Sequence, residues 1–281
     1  MTEGDRPNVQ LALDARAENV VLVREVLAGL AENVALGSAL DDVKAAVSEA
    51  CNNTIMHAYP GGEGPLEVDL RVLDGELRVV VRDSGTGTVR RAEDDETPAR
   101  GIGLAVIEAL ASKLEIRATP GRGVEVEMGF EIPDAGLPAA GGEDKVPAVI
   151  ADCGVRIAIS PTELSGSILN RLISALAARA GFSIDRLSDA QMLGDTLGAR
   201  VAAVLDGHRV SVGLDAADRA LAMRIGPLRA GGAGSLVAAA TVADLGSVVE
   251  RLADEVGVSE TPGGEVLAVV MRASPPGDAG S

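Results

Sequence analysis

From Val9 to Leu13 apolar and polar positions alternate, a period of two that predicts a short strand. The period then lengthens: Val20, Val23, Leu27 and Leu30 recur at helical spacing and predict a helix over Ala17 to Glu32. A second helix is predicted from Asp41 to Ala58, with Val43, Ala46, Val47, Ala50 and Thr54 along one flank. Asp41 and Asp42 favour its start, and Tyr59-Pro60-Gly61-Gly62 ends it. Strands over Leu66 to Leu73 and Leu77 to Arg82 join through Asp74-Gly75, a tight-hairpin dipeptide. A polar, acidic loop covers Ser84 to Ala99, and a helix is predicted over Ile102 to Lys113. A last hairpin, Leu114 to Ala118 and Gly123 to Ile132, turns at Thr119-Pro120-Gly121. Helices against one face of a mostly antiparallel sheet make an α+β, two-layer sandwich.

The stretch Pro133 to Pro147 is rich in Pro, Gly, Ala and acidic residues and reads as a linker, so the expected units are 8–133 and 149–273. A Pro- and Gly-bearing tail follows at 274–281. The second unit echoes the first: Leu252-Ala253, Val256, Val258 and Thr261-Pro262-Gly263 match Leu110-Ala111, Leu114, Ile116 and Thr119-Pro120-Gly121 without a gap. Leu187-Ser188-Asp189 likewise aligns with Leu40-Asp41-Asp42, and an internal duplication is predicted.

Composition narrows the choice of function. Aromatic residues make up only 1% of the chain, so the core must be built from Val, Leu, Ile and Ala. A net charge of −17 disfavours binding to phosphate backbones and anionic lipid, so neither nucleic acid nor membrane is an expected partner. The same acidity suits a partner with a basic surface, or simply keeps the chain dispersed. Two cysteines, Cys51 and Cys153, are too few for a disulfide framework, and the polar start Met1 to Pro7 lacks the apolar core of a signal peptide. A cytoplasmic chain is expected. His208, beside Gly207, reads as a solvent-facing turn residue, while Met192 and Met223 read as core fillers.

Three short motifs carry candidate chemistry. Glu49, Asn53 and His57 follow one another four residues apart along one face of the second helix, as a polar stripe that serves either a ligand or water. Asp83-Ser84-Gly85-Thr86-Gly87 follows a strand; an Asp there can accept a hydrogen bond from an exocyclic amine, and glycines let backbone pass close to a flat ring. The alternative for that motif is an ordinary strand-to-loop turn. Arg100-Gly101-Ile102-Gly103-Leu104 opens a helix, where free N–H groups and the helix dipole attract phosphate. No Lys-Ser/Thr pair follows these glycines, which rejects a P-loop.

In order and spacing, Glu49 to Tyr59 resembles the N-box of the GHKL ATPase superfamily, Asp83 to Gly87 its first glycine box and Arg100 to Leu104 its second. The Glu-Ala-x-x-Asn-x-x-x-His-Ala-Tyr form is similar to that of the bacterial anti-sigma-factor serine kinases. The resemblance covers residues 8–133 and implies an ATP-binding domain of that fold, duplicated in tandem. It implies that Asn53 binds Mg²⁺ bridging the ATP phosphates and that Glu49 is the general base. Asp83 is implied to hold the adenine amine, with Gly85 and Gly87 shaping the base pocket. Gly101, Ile102, Gly103 and Leu104 are implied to wrap the phosphates, Arg100 to contact the γ-phosphate, and His57 to belong to the same nucleotide site. The chain departs from many relatives at Val124, where they place Thr.

The implied activity is phosphorylation of a serine or threonine on an antagonist protein, with a sigma factor as the sequestered partner. The alternative is a module that traps a partner without transferring phosphate. In the second unit Thr196 stands at the position of Glu49, Arg200 at that of Asn53, Gly226 or Pro227 near that of Asp83, and Val242 to Gly246 replaces the second glycine loop. An Arg cannot coordinate Mg²⁺. A degenerate second domain is expected, in a monomeric chain that forms an intrachain pseudo-dimer.

Overall fold

The computed structural model of the chain describes residues 7–59, 62–85, 102–119, 123–133, 137, 140, 147–242 and 246–273. The chain divides into two compact units, with the boundary after Pro138. Most of the expected linker, and the expected tail, lie outside the described residues. No helix among the described residues is long and apolar enough to cross a membrane.

The first unit runs β1 (Val9–Asp14), α1 (Val20–Leu30), α2 (Ala39–His57), β2 (Pro65–Leu73), β3 (Glu76–Asp83), α3 (Ile102–Leu110), β4 (Lys113–Thr119) and β5 (Gly123–Glu131). Its strands lie in the order β1-β2-β3-β5-β4, each neighbour antiparallel. The hairpin expected at Asp74-Gly75 forms, with Gly75 at φ +76°, a conformation open to glycine. Strand alternation sends Leu66, Val68 and Leu70 of β2 and Leu77, Val79 and Val81 of β3 into the core. There α2 packs against β3 and β5. Val43, Ala46, Val47, Ala50 and Cys51 of α2 are all buried, and each large aliphatic so enclosed contributes about 1.5–3 kcal/mol.

The other face of this sheet is charged. Arg82 pairs with Asp69 and, at 2.6 Å, with Glu125, which also pairs with Arg117 at 2.7 Å. Burial alone would raise the Glu125 carboxyl, yet the hydrogen bonds from Arg82 and Arg117 hold it below the usual carboxylate range.

Two boundaries differ most from expectation. The first helix begins as a single 3₁₀ turn, Ala17–Asn19, before α1 proper. The helix expected to reach Lys113 stops at Leu110, because Ser112 donates both its N–H and its hydroxyl to the Gly129 carbonyl at 2.9 Å and starts β4.

The second unit runs α4 (Ala148–Ala151), β6 (Val155–Ile159), α5 (Ser165–Arg179), α6 (Ile184–Arg200), β7 (Val210–Ala217), β8 (Ala220–Leu228), α7 (Gly232–Ala239), β9 (Thr241–Val242), β10 (Gly246–Ser247), α8 (Val248–Leu252), β11 (Glu255–Thr261) and β12 (Gly264–Arg272). Its main strands lie in the order β6-β7-β8-β12-β11, all antiparallel. Paired helices again fall between the first two strands, and further helices again precede the closing hairpin.

The expected pair of layers is not kept throughout this unit. The segment beginning with α4 lays Ile150 and Cys153 on Gly213, where an added Cβ would come 3.4 Å from Ile150 Cγ2, while Val212 and Leu214 on the opposite face of the strand are also buried. The methionine expectations divide: Met223 is core, but Met192 is 38% exposed, since α6 turns Leu193 and Leu197 inward instead. His208 is an exposed bend residue, as expected.

One carboxylate finishes the start of α7. Glu265 of β12 accepts the Gly231 N–H at 2.6 Å and the Ala233 N–H at 2.9 Å. These are donors that a helix N-terminus leaves unpaired. The two bonds, first that from Ala233, hold the Glu265 carboxyl below the usual range. A lowered carboxyl stabilises the fold above its unfolded-state titration point and loses that contribution as pH falls through its folded-state one. Amide exchange at Gly231 and Ala233, corrected for intrinsic rates, is therefore expected to accelerate in Glu265→Gln at neutral pH and in wild type on acidification; unchanged exchange in the variant would remove the cap.

Candidate functional site

The site is built from the end of α2, the end of β3 and the start of α3. α2 turns its apolar flank to the sheet, which leaves Glu49 and Asn53 half-buried along another flank. His57, the last residue of the helix, is exposed. Asn53 makes no side-chain hydrogen bond among the described residues, so its carboxamide oxygen is available to a cation. Cys51 shares the helix but points into the core, where burial pushes its thiol up to about 12 and makes it an unreactive filler.

Asp83 closes β3. Strand alternation that buries Leu77, Val79 and Val81 carries Asp83 to the same face, where it is 8% exposed. Its Oδ1 accepts the Gly85 N–H at 2.9 Å and the Val124 N–H at 3.2 Å. Among the described residues nothing donates to Oδ2, so one carboxylate oxygen is anchored and the other is free for a ligand. The expected departure at Val124 thus leaves a backbone donor on Asp83, because a main-chain N–H does not depend on the side chain.

Two glycines make room for this arrangement. A Cβ on Gly85 would lie 2.7 Å from the Ala58 carbonyl carbon, so the loop rests directly on the last turn of α2. Gly123 has φ +86°, and a Cβ there would come within 2.6 Å of Asp83 Oδ1. At the start of α3, Gly103 is buried against Glu49: an added Cβ would be 2.6 Å from the Glu49 Cδ. The first turn of α3, whose opening N–H groups have no partner within the helix, is thereby brought to the carboxylate of α2. Leu104 is half-buried in the same turn, and Ile102 opens the helix. Gly87, Arg100 and Gly101 lie outside the described residues.

Tyr59, expected only as the last residue of the N-box motif and given no contact of its own, and Gly123, given none, both hold Asp83 and its neighbours. The positive φ of Gly123 carries no period, whereas Tyr59 is the chain's single tyrosine, a signal that composition alone displays. No group of three or more His, Cys, Asp or Glu side chains among the described residues is placed to hold a metal ion. Any cation here would rest on Asn53 together with oxygens from a ligand.

The second unit corrects one expected equivalence. Gly264 approaches the backbone of Leu228 as Gly123 approaches that of Asp83, so the position that compares with Asp83 by geometry is Leu228 and not the expected Gly226 or Pro227. Leu228 is 1% exposed. Where a counterpart of the second glycine loop was expected, β9 pairs antiparallel with β10.

Residues 13–130 match the family model described as a histidine kinase-like ATPase domain. The chain is 30% identical over 129 residues to the anti-sigma F factor of Caldanaerobacter subterraneus subsp. tengcongensis, a match spanning 43% of this chain and 90% of that protein. It is 29% identical over 129 residues to the serine-protein kinase RsbW of Bacillus pumilus, spanning 40% of this chain and 80% of that protein.

Gly123 and Gly103 answer differently to a methyl group. Gly123→Ala would set a Cβ against fixed backbone at a left-handed φ and is expected to cost about 1–3 kcal/mol. Gly103→Ala meets only the Glu49 side chain, from its carboxylate to its Cγ, and, without a left-handed φ or a backbone clash, is expected to cost less than Gly123→Ala. Urea unfolding of both variants checks the ordering, and the reverse order would refute it.

Proposed function

Because this chain belongs to the anti-sigma serine kinase family of GHKL-type, histidine kinase-like ATPases, we propose that its first unit binds ATP and phosphorylates a serine or threonine of an antagonist protein, and that it sequesters a sigma factor when not so engaged. The observation that carries this reading is the contact of Gly103 with Glu49, which sets a proton acceptor beside a helix start suited to phosphate. The names of the relatives, an anti-sigma factor and a serine-protein kinase, support it.

The residues fit the nucleotide. The free oxygen of Asp83 would accept an N–H of the adenine amine, and Gly85 and Gly123, which let the backbone of Ala58 and of Asp83 approach without a Cβ, would hold that oxygen in place. The opening N–H groups of α3 would receive the phosphates. Mg²⁺, held through the Asn53 carboxamide oxygen and phosphate oxygens, would neutralise the charge of the transferring group. Glu49 would take the proton of the attacking serine or threonine hydroxyl as its oxygen bonds to the γ-phosphorus and the bond to the β-phosphate oxygen breaks. ADP leaves, and the phosphoryl group stays on the protein substrate.

The second unit, in this reading, is a degenerate copy of the first. Its matching strand order supports the duplication. Leu228 offers no acceptor to a base, and the donors at the start of α7 are already bound by Glu265. With Thr196 and Arg200 at the positions of Glu49 and Asn53, one ATP per chain is expected.

Titration calorimetry tests the binding part. Wild type is expected to take up one ATP per chain in the presence of Mg²⁺, and Asn53→Ala to show no Mg²⁺-dependent binding; unchanged affinity in the variant would show that the motif has been misread. For catalysis, Glu49→Gln is expected to keep ATP affinity and to slow transfer about 10²- to 10⁴-fold, the usual contribution of a general base. The measurement is label transfer from γ-labelled ATP to protein in a lysate of the host. Equal rates in wild type and variant would remove Glu49 from the reaction.

A further inference from the structure

We infer that Tyr59 is a positioning residue of the nucleotide site, whose hydroxyl fixes the Asp83 loop and so sets selectivity for the adenine amine. The inference rests on the ATP-binding reading above.

Tyr59 lies two residues beyond the end of α2 and links three parts of the first unit. Its hydroxyl donates to the Pro65 carbonyl at 2.6 Å, at the start of β2. The same oxygen accepts the Ser84 N–H at 2.8 Å, at the end of β3. Its ring lies on Gly64, where any Cβ would run into the aromatic carbons. Gly64 in turn accepts the Ala15 N–H at 2.8 Å, beside the end of β1. Burial raises the phenol above its ordinary titration point, so it remains a donor through neutral pH.

The consequence for Asp83 follows from its neighbours. Ala58 supports Gly85 from below through its carbonyl, and Tyr59 holds Ser84, so two consecutive residues after α2 grip two consecutive residues after β3. Gly85 is the residue whose N–H anchors Asp83 Oδ1. With Ser84 tied, the Gly85 amide keeps its aim and the second oxygen of Asp83 keeps its direction. A site built to hydrogen-bond a substrate amine discriminates against an analogue lacking it only while the acceptor cannot turn away. Ser84 is exposed, so water can take over its N–H when the phenol oxygen is removed, and little folding stability depends on this bond.

Tyr59→Phe removes the oxygen and keeps the ring on Gly64. Binding of ATP and of purine riboside triphosphate, which lacks the exocyclic amine, is measured for wild type and variant by calorimetry. Amide exchange at Ser84 and Gly85 is followed in the nucleotide-free proteins. The variant is expected to lose about threefold to tenfold in ATP affinity, the range of one hydrogen bond, with little change for the analogue. The wild-type preference for ATP falls accordingly, exchange at Ser84 and Gly85 quickens, and the melting temperature stays near that of wild type. A preference equal to that of wild type would overturn the inference, as would equal losses for both nucleotides accompanied by a lower melting temperature, the mark of a purely structural role. Failure of wild type itself to bind ATP would instead overturn the reading on which the inference rests.

Discussion

The site of the first unit hangs on one carboxylate oxygen. Asp83 Oδ1 accepts N–H groups from Gly85, in the loop just beyond it, and from Val124 of the neighbouring strand. These bonds tie the end of β3 to the start of β5 and leave the other oxygen without a donor among the described residues. They form only because Gly123 brings its backbone against Asp83 without a Cβ, in a conformation that other residues enter at a cost. A longer acidic side chain could not turn back onto the Gly85 amide in the same way.

The long helix α2 is the other fixed part. It serves two environments: one flank is buried against β3 and β5, while Glu49 and Asn53 line another at the boundary of the site. Its last turn ends against the loop after β3, where Ala58 meets Gly85. Helix position, loop position and Asp83 orientation are therefore coupled through backbone contacts, which are stiffer than side-chain contacts. The buried aliphatic residues that hold α2 on the sheet are thus also what keep Glu49 against α3.

The second unit shows the same strand order serving another balance of forces. Where the first unit has a buried acceptor, the second has Leu228, and the donors at the start of α7 are taken by Glu265 from within the chain. Internal bonds of this kind satisfy the backbone without any ligand. Covering both faces of β7, with Ile150 and Cys153 added on one side, gives that unit apolar burial that the charged sheet face of the first unit lacks.

Much of this was legible in the chain. Alternation along β2 and β3, helical spacing along α2 and the Asp74-Gly75 turn each depend on neighbours a few residues apart, so local pattern determined them. The faces on which Glu49, Asn53 and Asp83 stand were legible for the same reason, whereas their reading as a nucleotide site rests on the resemblance of the motifs that hold them. Other features are set by contacts between residues far apart. The stop of α3 before Lys113 depends on the Gly129 carbonyl, and the position of Leu228 beside Gly264 in the second unit on the pairing of β8 with β12. Met192 lies outside because α6 presents Leu193 and Leu197 to its neighbours instead. The roles of Tyr59 and Gly123 belong to this second kind, because a hydroxyl shared by β2 and β3, or a missing Cβ beside a carboxylate, has meaning only once the chain has brought those segments together.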